Sequence, residues 1–208
     1  MGRFFNYDGP LFGFLDKLAN LFILNVLFLI CSIPIFTIGA SWTALYYMTM
    51  KIAAGEEGYV FKGFFKAFKD NFKQATVIWL IMMTLGIIFR IDFYVLNYTR
   101  AGAMMVIRVL IFALLIIWMF EISYVFAVLA KFDNTVKQTM KNALLMSIRH
   151  LPFTAALFAI WAIAGVLVYC FFYQMIPVVF ILGFSCIAYC QSFIFNNIFA
   201  NYIPKEDN

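Results

Sequence analysis

The stretch of sequence that decides the fold is YVFKGFFKAFKDNFKQATVIWLIMMTLGIIFRIDFYVL, residues 59–96. Its first 16 residues contain five phenylalanines and four lysines, and its last 22 are almost entirely apolar. A helix of about 20 apolar residues is long enough to cross the ~30 Å hydrocarbon core of a bilayer. The second part is therefore predicted to span a membrane, and the first part to lie at one of the membrane surfaces.

The composition of the whole chain supports a membrane protein. Hydrophobic residues make up 65% of the 208 residues and charged residues only 12%, whereas soluble domains average about 45–50% and about 25%. A soluble globular fold could not bury this much apolar surface. The formal charge of +5 does not require a nucleic-acid partner, because membrane proteins keep lysine and arginine on the cytoplasmic side.

Apolar segments recur along the chain at lengths close to that needed for a span. We predict an all-α, polytopic membrane helix bundle of five or six spans, forming a single integral membrane domain over residues 1–208. The first two segments are short, and they are also compatible with a re-entrant hairpin that does not cross. The predicted spans are approximately 18–32, 36–54, 75–96, 103–130, 151–172 and 176–200, with cytoplasmic amphipathic helices at about 59–74 and 133–150.

The basic residues fall unevenly around these segments. If the N-terminus is cytoplasmic and six crossings follow, twelve of the 15 lysines and arginines lie inside and three outside. This split matches the positive-inside rule, so we expect both termini to be cytoplasmic, and a re-entrant hairpin would not change this. The inner set is Arg3, Lys17, Lys51, Lys62, Lys66, Lys69, Lys73, Lys131, Lys137, Lys141, Arg149 and Lys205; the outer set is Arg90, Arg100 and Arg108.

The phenylalanine-lysine segment is predicted to be an amphipathic helix. At 100° per residue its phenylalanines fall within an arc of about 100°, and its lysines form a second row about a third of a turn away. This arrangement favours a helix at the surface of an anionic membrane, and a partner-docking helix uses the same spacing. Nucleic-acid binding needs aromatic rings spread on an open platform, so we expect none. The residues are Phe61, Phe64, Phe65, Phe68, Phe72, Lys62, Lys66, Lys69 and Lys73.

Glu121 is the clearest ionisable residue inside a predicted span. It lies ten residues before Lys131, or about 15 Å along a helix, which places it near the membrane midplane. Ionisable groups at this depth are costly and commonly functional. Glu121 is predicted to be a proton or cation site, or a carboxyl group that is hydrogen-bonded within the bundle to a residue such as Asn25 or Asn196.

Motifs of catalysis and cofactor binding are absent from the sequence. The four cysteines lie in apolar runs without the CxxC spacing of metal or redox sites. No phosphate-binding glycine loop or nucleophile elbow occurs. We therefore expect a protein that is not an enzyme and that binds no cofactor and no metal.

The block from Ser32 to Leu80, SIPIFTIGASWTALYYMTMKIAAGEEGYVFKGFFKAFKDNFKQATVIWL, resembles the YesL family of small bacterial integral membrane proteins. A weaker resemblance continues through KNALLMSIRHLPF, residues 141–153. The positions that match the family pattern are Pro34, Thr37, Gly39, Ala40, Ser41, Ala44, Tyr46, Tyr47, Glu57, Gly58, Phe68, Asn71, Phe72, Lys73 and Gln74.

The resemblance implies a location and a set of partners, but no catalytic residue. Members of the YesL family are typical of Gram-positive bacteria, and their genes often lie beside those of carbohydrate ABC importers. The resemblance thus implies a plasma-membrane accessory subunit that contacts the importer permease or its ATPase through the two cytoplasmic helices. The sequence is also compatible with a homo-oligomer. The alternative is a stand-alone small transporter or channel with Glu121 on a polar path.

Overall fold

The structure is a computed structural model that describes residues 10–56, 58–98 and 104–202. These ranges contain helices and no strand, which confirms the all-α class. A 3₁₀ turn, Ile35–Thr37, leads into α2, and a π-helical segment, Val179–Gly183, joins α7 to α8. The α-helices are α1 Pro10–Cys31, α2 Ile38–Ala54, α3 Val60–Tyr98, α4 Met104–Lys131, α5 Val136–Arg149, α6 Leu151–Cys170, α7 Phe172–Val178 and α8 Phe184–Phe199.

Five helical stretches of the described chain are long and apolar enough to cross a membrane: Gly13–Cys31, Val60–Val95, Met105–Lys131, Leu151–Cys170 and Phe172–Phe199. This agrees with the predicted five or six spans and indicates a multi-pass membrane protein. The predicted second span corresponds to α2, whose 17 residues make it shorter than the other five stretches.

Helices α1 and α2 form a hairpin, with the Phe28 and Trp42 ring centroids 4.9 Å apart. The indole N–H of Trp79 donates a hydrogen bond of 2.8 Å to the carbonyl oxygen of Ile35 at the hairpin turn. Trp79 is the midpoint of α3, and α3 continues for 19 residues beyond it, or about 28 Å. The hairpin therefore reaches only halfway along α3, which favours the re-entrant alternative.

The phenylalanine-lysine segment and the third span form one continuous helix of 39 residues, α3. The cytoplasmic helix and the span predicted on either side of residues 74 and 75 are therefore parts of one helix. No glycine or proline interrupts the helix there, and a single buried stripe runs through both parts: Phe64, Ala67, Ala75, Ile78 and Met82. A helix of this length measures about 58 Å and exceeds the ~45 Å of a whole bilayer even at the average tilt of about 20°. The lysine-rich half thus extends α3 out of the membrane rather than lying flat on its surface.

The last predicted span begins earlier than the sequence suggests. Because α7 begins at Phe172, Pro177 lies inside that helix rather than in the first turn of a span. A proline in this position removes one backbone N–H and displaces the carbonyl of Tyr173, four residues before it. The π-helical segment follows directly, so the backbone hydrogen bonding of this span is irregular near its middle.

Helix α2 packs against α3 at a distance that only a small residue permits. A Cβ atom added to Gly39 would lie 2.6 Å from the carbonyl oxygen of Ala75 and 2.7 Å from the Cβ of Trp79. Ser41, Thr43 and Ala44 on the same helix are also buried. Small residues of this kind allow membrane helices to approach closely.

We predict that Gly39→Ala destabilises the protein by about 1–3 kcal/mol, because the added methyl group would press on backbone rather than on a flexible side chain. Gly165→Ala is the matched control, since a Cβ atom there meets no atom within 4 Å and alanine favours the helix. Thermal unfolding in detergent, followed by tryptophan fluorescence, would measure both variants. An unchanged midpoint for Gly39→Ala would contradict the close contact.

Candidate functional site

One end of the bundle carries most of the positive charge, and we call it the basic end. The ends of α2, α4 and α8 meet there around Ala54, Lys131 and Phe199, and a 3.0 Å hydrogen bond joins His150 at the start of α6 to Tyr202. Among the described residues its basic side chains are Lys17, Lys51, Lys62, Lys66, Lys69, Lys73, Lys131, Lys137, Lys141 and Arg149, whereas Arg90 and Arg108 lie toward the opposite end. Arg3, Arg100, Lys205 and the motif residue Glu57 lie outside the described residues.

The five phenylalanines of α3 do not share one environment. Phe64 is fully buried in the bundle, whereas Phe65 and Phe68 are partly buried against the core. Phe61 is 61% exposed and Phe72 is 36% exposed. The rings pack along the helix, with centroids 4.9 Å apart for Phe61 and Phe65. The predicted apolar stripe therefore anchors the helix through its centre and leaves both of its ends accessible.

The lysines of this segment all face outward. Lys62, Lys66, Lys69 and Lys73 are exposed, and none makes an ion pair with another described residue. Exposed lysines on a helix that leaves the membrane can reach lipid headgroups or an acidic surface on a partner. These lysines are therefore accessible both to lipid headgroups and to a partner protein, the two interactions predicted from the sequence.

Helix α5 presents a second accessible face at the basic end. One side of the helix packs into the bundle through Thr139, Ala143 and Met146, which are buried. On the other side Leu145 is 54% exposed and Ile148 is 51% exposed. Lys137 and Lys141 continue this face at a spacing of four residues. The sequence predicts helix α5, but it does not identify which of its apolar residues remain uncovered.

The three residues of the predicted intramembrane polar site are not brought together. Glu121 is partly buried and has no hydrogen-bond or ion-pair partner among the described residues. The side-chain amide of Asn196 donates to the carbonyl oxygen of Met50 at 2.9 Å. Asn25 binds backbone groups near Val179. The expected hydrogen bond between Glu121 and either asparagine is therefore absent, because both amides have other partners.

Asn25 instead forms hydrogen bonds with the irregular backbone of the last span. Its side-chain N–H donates to the carbonyl oxygens of Phe180 at 2.6 Å and Val179 at 3.3 Å, and its Oδ1 accepts from the N–H of Ser185 at 3.1 Å. Asn25 is completely buried. A buried backbone group without a partner is costly in lipid, and a π-helical segment departs from the regular hydrogen-bond pattern of an α-helix. One side chain thus satisfies three groups and fixes α1 against the last span.

A row of buried polar contacts joins α2 to α8, and we call it the α2–α8 polar seam. The hydroxyl of Tyr46 donates to Oε1 of Gln191 at 2.7 Å, and the hydroxyl of Ser192 donates to Oγ1 of Thr49 at 2.8 Å. The Asn196 contact described above extends the seam toward the basic end. Sequence reasoning missed these pairs, because helix periodicity does not show which polar residues of two distant helices meet.

The described residues contain no group of three or more histidine, cysteine, aspartate or glutamate side chains that could hold a metal ion. All four cysteines are free thiols. The site features of this chain are thus helix surfaces and buried polar contacts.

Comparison with known proteins gives one result, and it concerns the helices that build the basic end. Residues 21–93 match the family described as "Protein of unknown function, DUF624". DUF624 is the family that the resemblance identifies. The match covers about a third of the chain, from the second half of α1 through α2 and most of α3, and it includes Asn25 but not Glu121 or α5. No curated protein and no solved structure matches the chain.

We predict that Asn25→Leu, which keeps the branch at Cγ but removes every hydrogen-bonding atom of the side chain, destabilises the protein by about 2–5 kcal/mol, because three buried backbone groups would lose their partner. Asn20→Leu is the control on the same helix, since its amide bonds only to exposed Asp16. Hydrogen exchange should rise in residues 179–185 of Asn25→Leu and stay unchanged in Asn20→Leu. Equal protection of this segment in both variants would show that Asn25 does not hold it.

Proposed function

We propose that this chain is a non-catalytic membrane protein that serves as an accessory subunit of a carbohydrate ABC importer. In this proposal it lies in the bacterial plasma membrane with both termini and the basic end in the cytoplasm. The face formed by Leu145 and Ile148 on α5, together with Phe61 on α3, contacts the permease or its ATPase. The observation that carries the proposal is that apolar side chains remain exposed at the end of the bundle where the lysines are concentrated.

The cytoplasmic orientation rests on charge. Ten basic side chains of the described residues lie toward the basic end and two toward the other, and positive residues favour the cytoplasmic side of a bacterial membrane. An ATPase of an importer is available only on that side. A surface that recognises such a partner therefore has to be at the basic end, where the extended half of α3 and α5 are found.

The choice of a protein partner rests on the character of the exposed faces. Leu145, Ile148 and Lys141 lie three to four residues apart on α5, which is the spacing by which a helix enters a groove on another protein. An apolar centre with a charged rim is typical of protein interfaces. The carbohydrate importer itself is proposed from the family resemblance, since the DUF624 description assigns no function.

The test is co-purification from the native bacterium in mild detergent. We expect the permease and ATPase of one carbohydrate importer to co-purify with this chain. Leu145→Ala with Ile148→Ala should lower their yield at least tenfold, because both substitutions remove exposed apolar contacts without opening a core cavity. The matched control is Val109→Ala with Ile163→Ala, which shortens two equally exposed side chains far from α5.

Two outcomes would contradict the accessory role. One is an importer complex that purifies and transports normally from cells in which the gene for this chain has been deleted. The other is an equal loss of co-purification in the control variant, which would assign the effect to general contact with lipid. Permease abundance should be measured in every strain, so that a defect in uptake is separated from a defect in expression.

A stand-alone small transporter or channel is the second candidate function, and Glu121 favours it. A carboxyl group within the apolar part of a span and without a described partner is a common element of proton and cation pathways. In this alternative Glu121 takes up and releases a proton during transport. The function would then reside in the spans rather than at the basic end.

For this alternative we predict that purified protein in vesicles conducts protons, measured with an enclosed pH-sensitive dye, and that Glu121→Gln lowers the flux at least tenfold. The substitution keeps the size of the side chain and removes its titration. Glu56→Gln is the control, because Glu56 is exposed beside Lys51 at 3.7 Å. A Glu121→Gln flux equal to that of the parent would exclude Glu121 from the pathway.

A further inference from the structure

A cavity of about 600 Å³ lies at the basic end, between α3, the last turn of α4 and the segment 132–135 that leads to α5. Gln74 and Leu129 form part of its wall, at the points where the apolar parts of α3 and α4 end. From Gln74 the wall continues along α3 to Lys66, about 12 Å farther from the apolar part. A headgroup layer is about 5–8 Å thick on each side of a bilayer. The cavity therefore spans the depth of the lipid headgroups.

Four charged side chains line this cavity, and their charges balance. Lys66 and Asp70 come from α3, whereas Lys131 and Asp133 come from the end of α4 and the segment after it. Within the described residues none of the four forms an ion pair with another side chain. Opposite charges that share a cavity without pairing are available to a ligand that carries both signs. A ligand with only negative charge would leave the two carboxylates unmatched.

Hydrogen-bond acceptors add to the wall of the cavity. The side-chain N–H of Asn71 donates to the carbonyl oxygen of Ala67 at 3.0 Å, which leaves its Oδ1 available as an acceptor. Together with Asp70 and Asp133 this oxygen forms a surface that suits a donor group with several N–H bonds. A primary ammonium group has three such donors.

We propose that the cavity binds a phosphoethanolamine group, a phosphate diester that carries a primary amine, as the headgroup of a membrane phospholipid. Lys66 and Lys131 bind the phosphate, and Asp70 and Asp133 bind the ammonium group. The position of the cavity at the ends of two apolar helix segments favours a lipid over a soluble zwitterion. This site is separate from the exposed face of α5 and does not depend on the proposed importer function.

The test is a titration of the purified full-length protein with short-chain phospholipids, followed by native mass spectrometry. We expect phosphatidylethanolamine to bind about tenfold more tightly than phosphatidylcholine, because the choline ammonium has no N–H to donate to the carboxylates. Phosphatidylglycerol should bind more weakly than phosphatidylethanolamine, since it has no cation for Asp70 and Asp133. Phosphoethanolamine alone should bind at least a hundredfold more weakly, since it lacks the acyl chains.

Two sets of variants assign the contacts. Asp70→Asn with Asp133→Asn should bring the preference for ethanolamine over choline down to less than threefold. Lys66→Gln should weaken both lipids by a similar factor of about ten. Lys69→Gln is its matched control, because Lys69 is an exposed lysine of the same helix outside the lining of the cavity. The circular dichroism spectrum of each variant should match that of the parent protein. If Lys66→Gln misfolds, Lys131→Gln tests the phosphate contact in its place.

Equal affinity for ethanolamine and choline lipids in the parent protein would overturn the proposal. Equal weakening by Lys69→Gln and Lys66→Gln would also overturn it, since it indicates general attraction to the lysine-rich surface. Binding of free phosphoethanolamine as tightly as the lipid would exclude the lipid as the ligand. Loss of importer co-purification in Lys66→Gln with unchanged lipid binding would assign the cavity to a protein partner.

Discussion

The close approach of α2 to α3 at Gly39 is the contact on which the arrangement of the bundle depends. Lipid chains are as apolar as leucine side chains, so an apolar helix gains nothing by leaving lipid for a neighbouring helix. The hydrophobic effect therefore does not hold membrane helices together. Close packing and interhelical hydrogen bonds must do so instead. Helix α2 uses both, with the glycine contact on the α3 side and the α2–α8 polar seam on the other. Its 17 residues make it shorter than the five apolar stretches that could cross a membrane, and it has the most continuous burial.

The irregular last span shows the same requirement for internal hydrogen bonding. Pro177 and the π-helical segment disturb a backbone that water cannot reach in a membrane. Asn25, from the opposite end of the sequence, supplies the missing partners. A polar side chain that looks like a functional candidate is thus explained by backbone geometry. The cost of an unpaired backbone group is large enough to account for a fully buried asparagine without any ligand.

The sequence predicts the helices well, because membrane spans follow from the length and composition of single segments. The small residues of α2 can also be read from the sequence, since Gly39 and Thr43 are four residues apart and lie on one side of a helix. The sequence does not show that the lysine-rich segment and the third span share one helix, because the change from lysine to apolar residues hides their continuity. Composition changes there, but the buried stripe that includes Phe64 and Ile78 keeps its phase, so the helix continues.

The candidate site could be predicted only in part, for a different physical reason. Exposure of Lys62 and Lys69 follows from their helix position alone, because charged residues seldom lie in a core. Whether Glu121 has a partner, and which groups Asn25 binds, depend on how distant helices meet, and a single sequence has no periodic signal for that. The same holds for Phe61 and Phe64, which share one stripe although one is exposed and the other buried.

The unequal burial along α3 and α4 sets where recognition by a cytoplasmic partner can occur. From Met105 to Phe120 no side chain of α4 is buried, and the indole N–H of Trp118 reaches the carbonyl oxygen of Met82 on α3 at 3.2 Å. The outer parts of α3 and α4 are therefore a two-helix unit with little further support. At the basic end the same helices pack against α2, α5 and α8. Recognition requires side chains held in fixed positions, so the basic end is the part of the molecule suited to it.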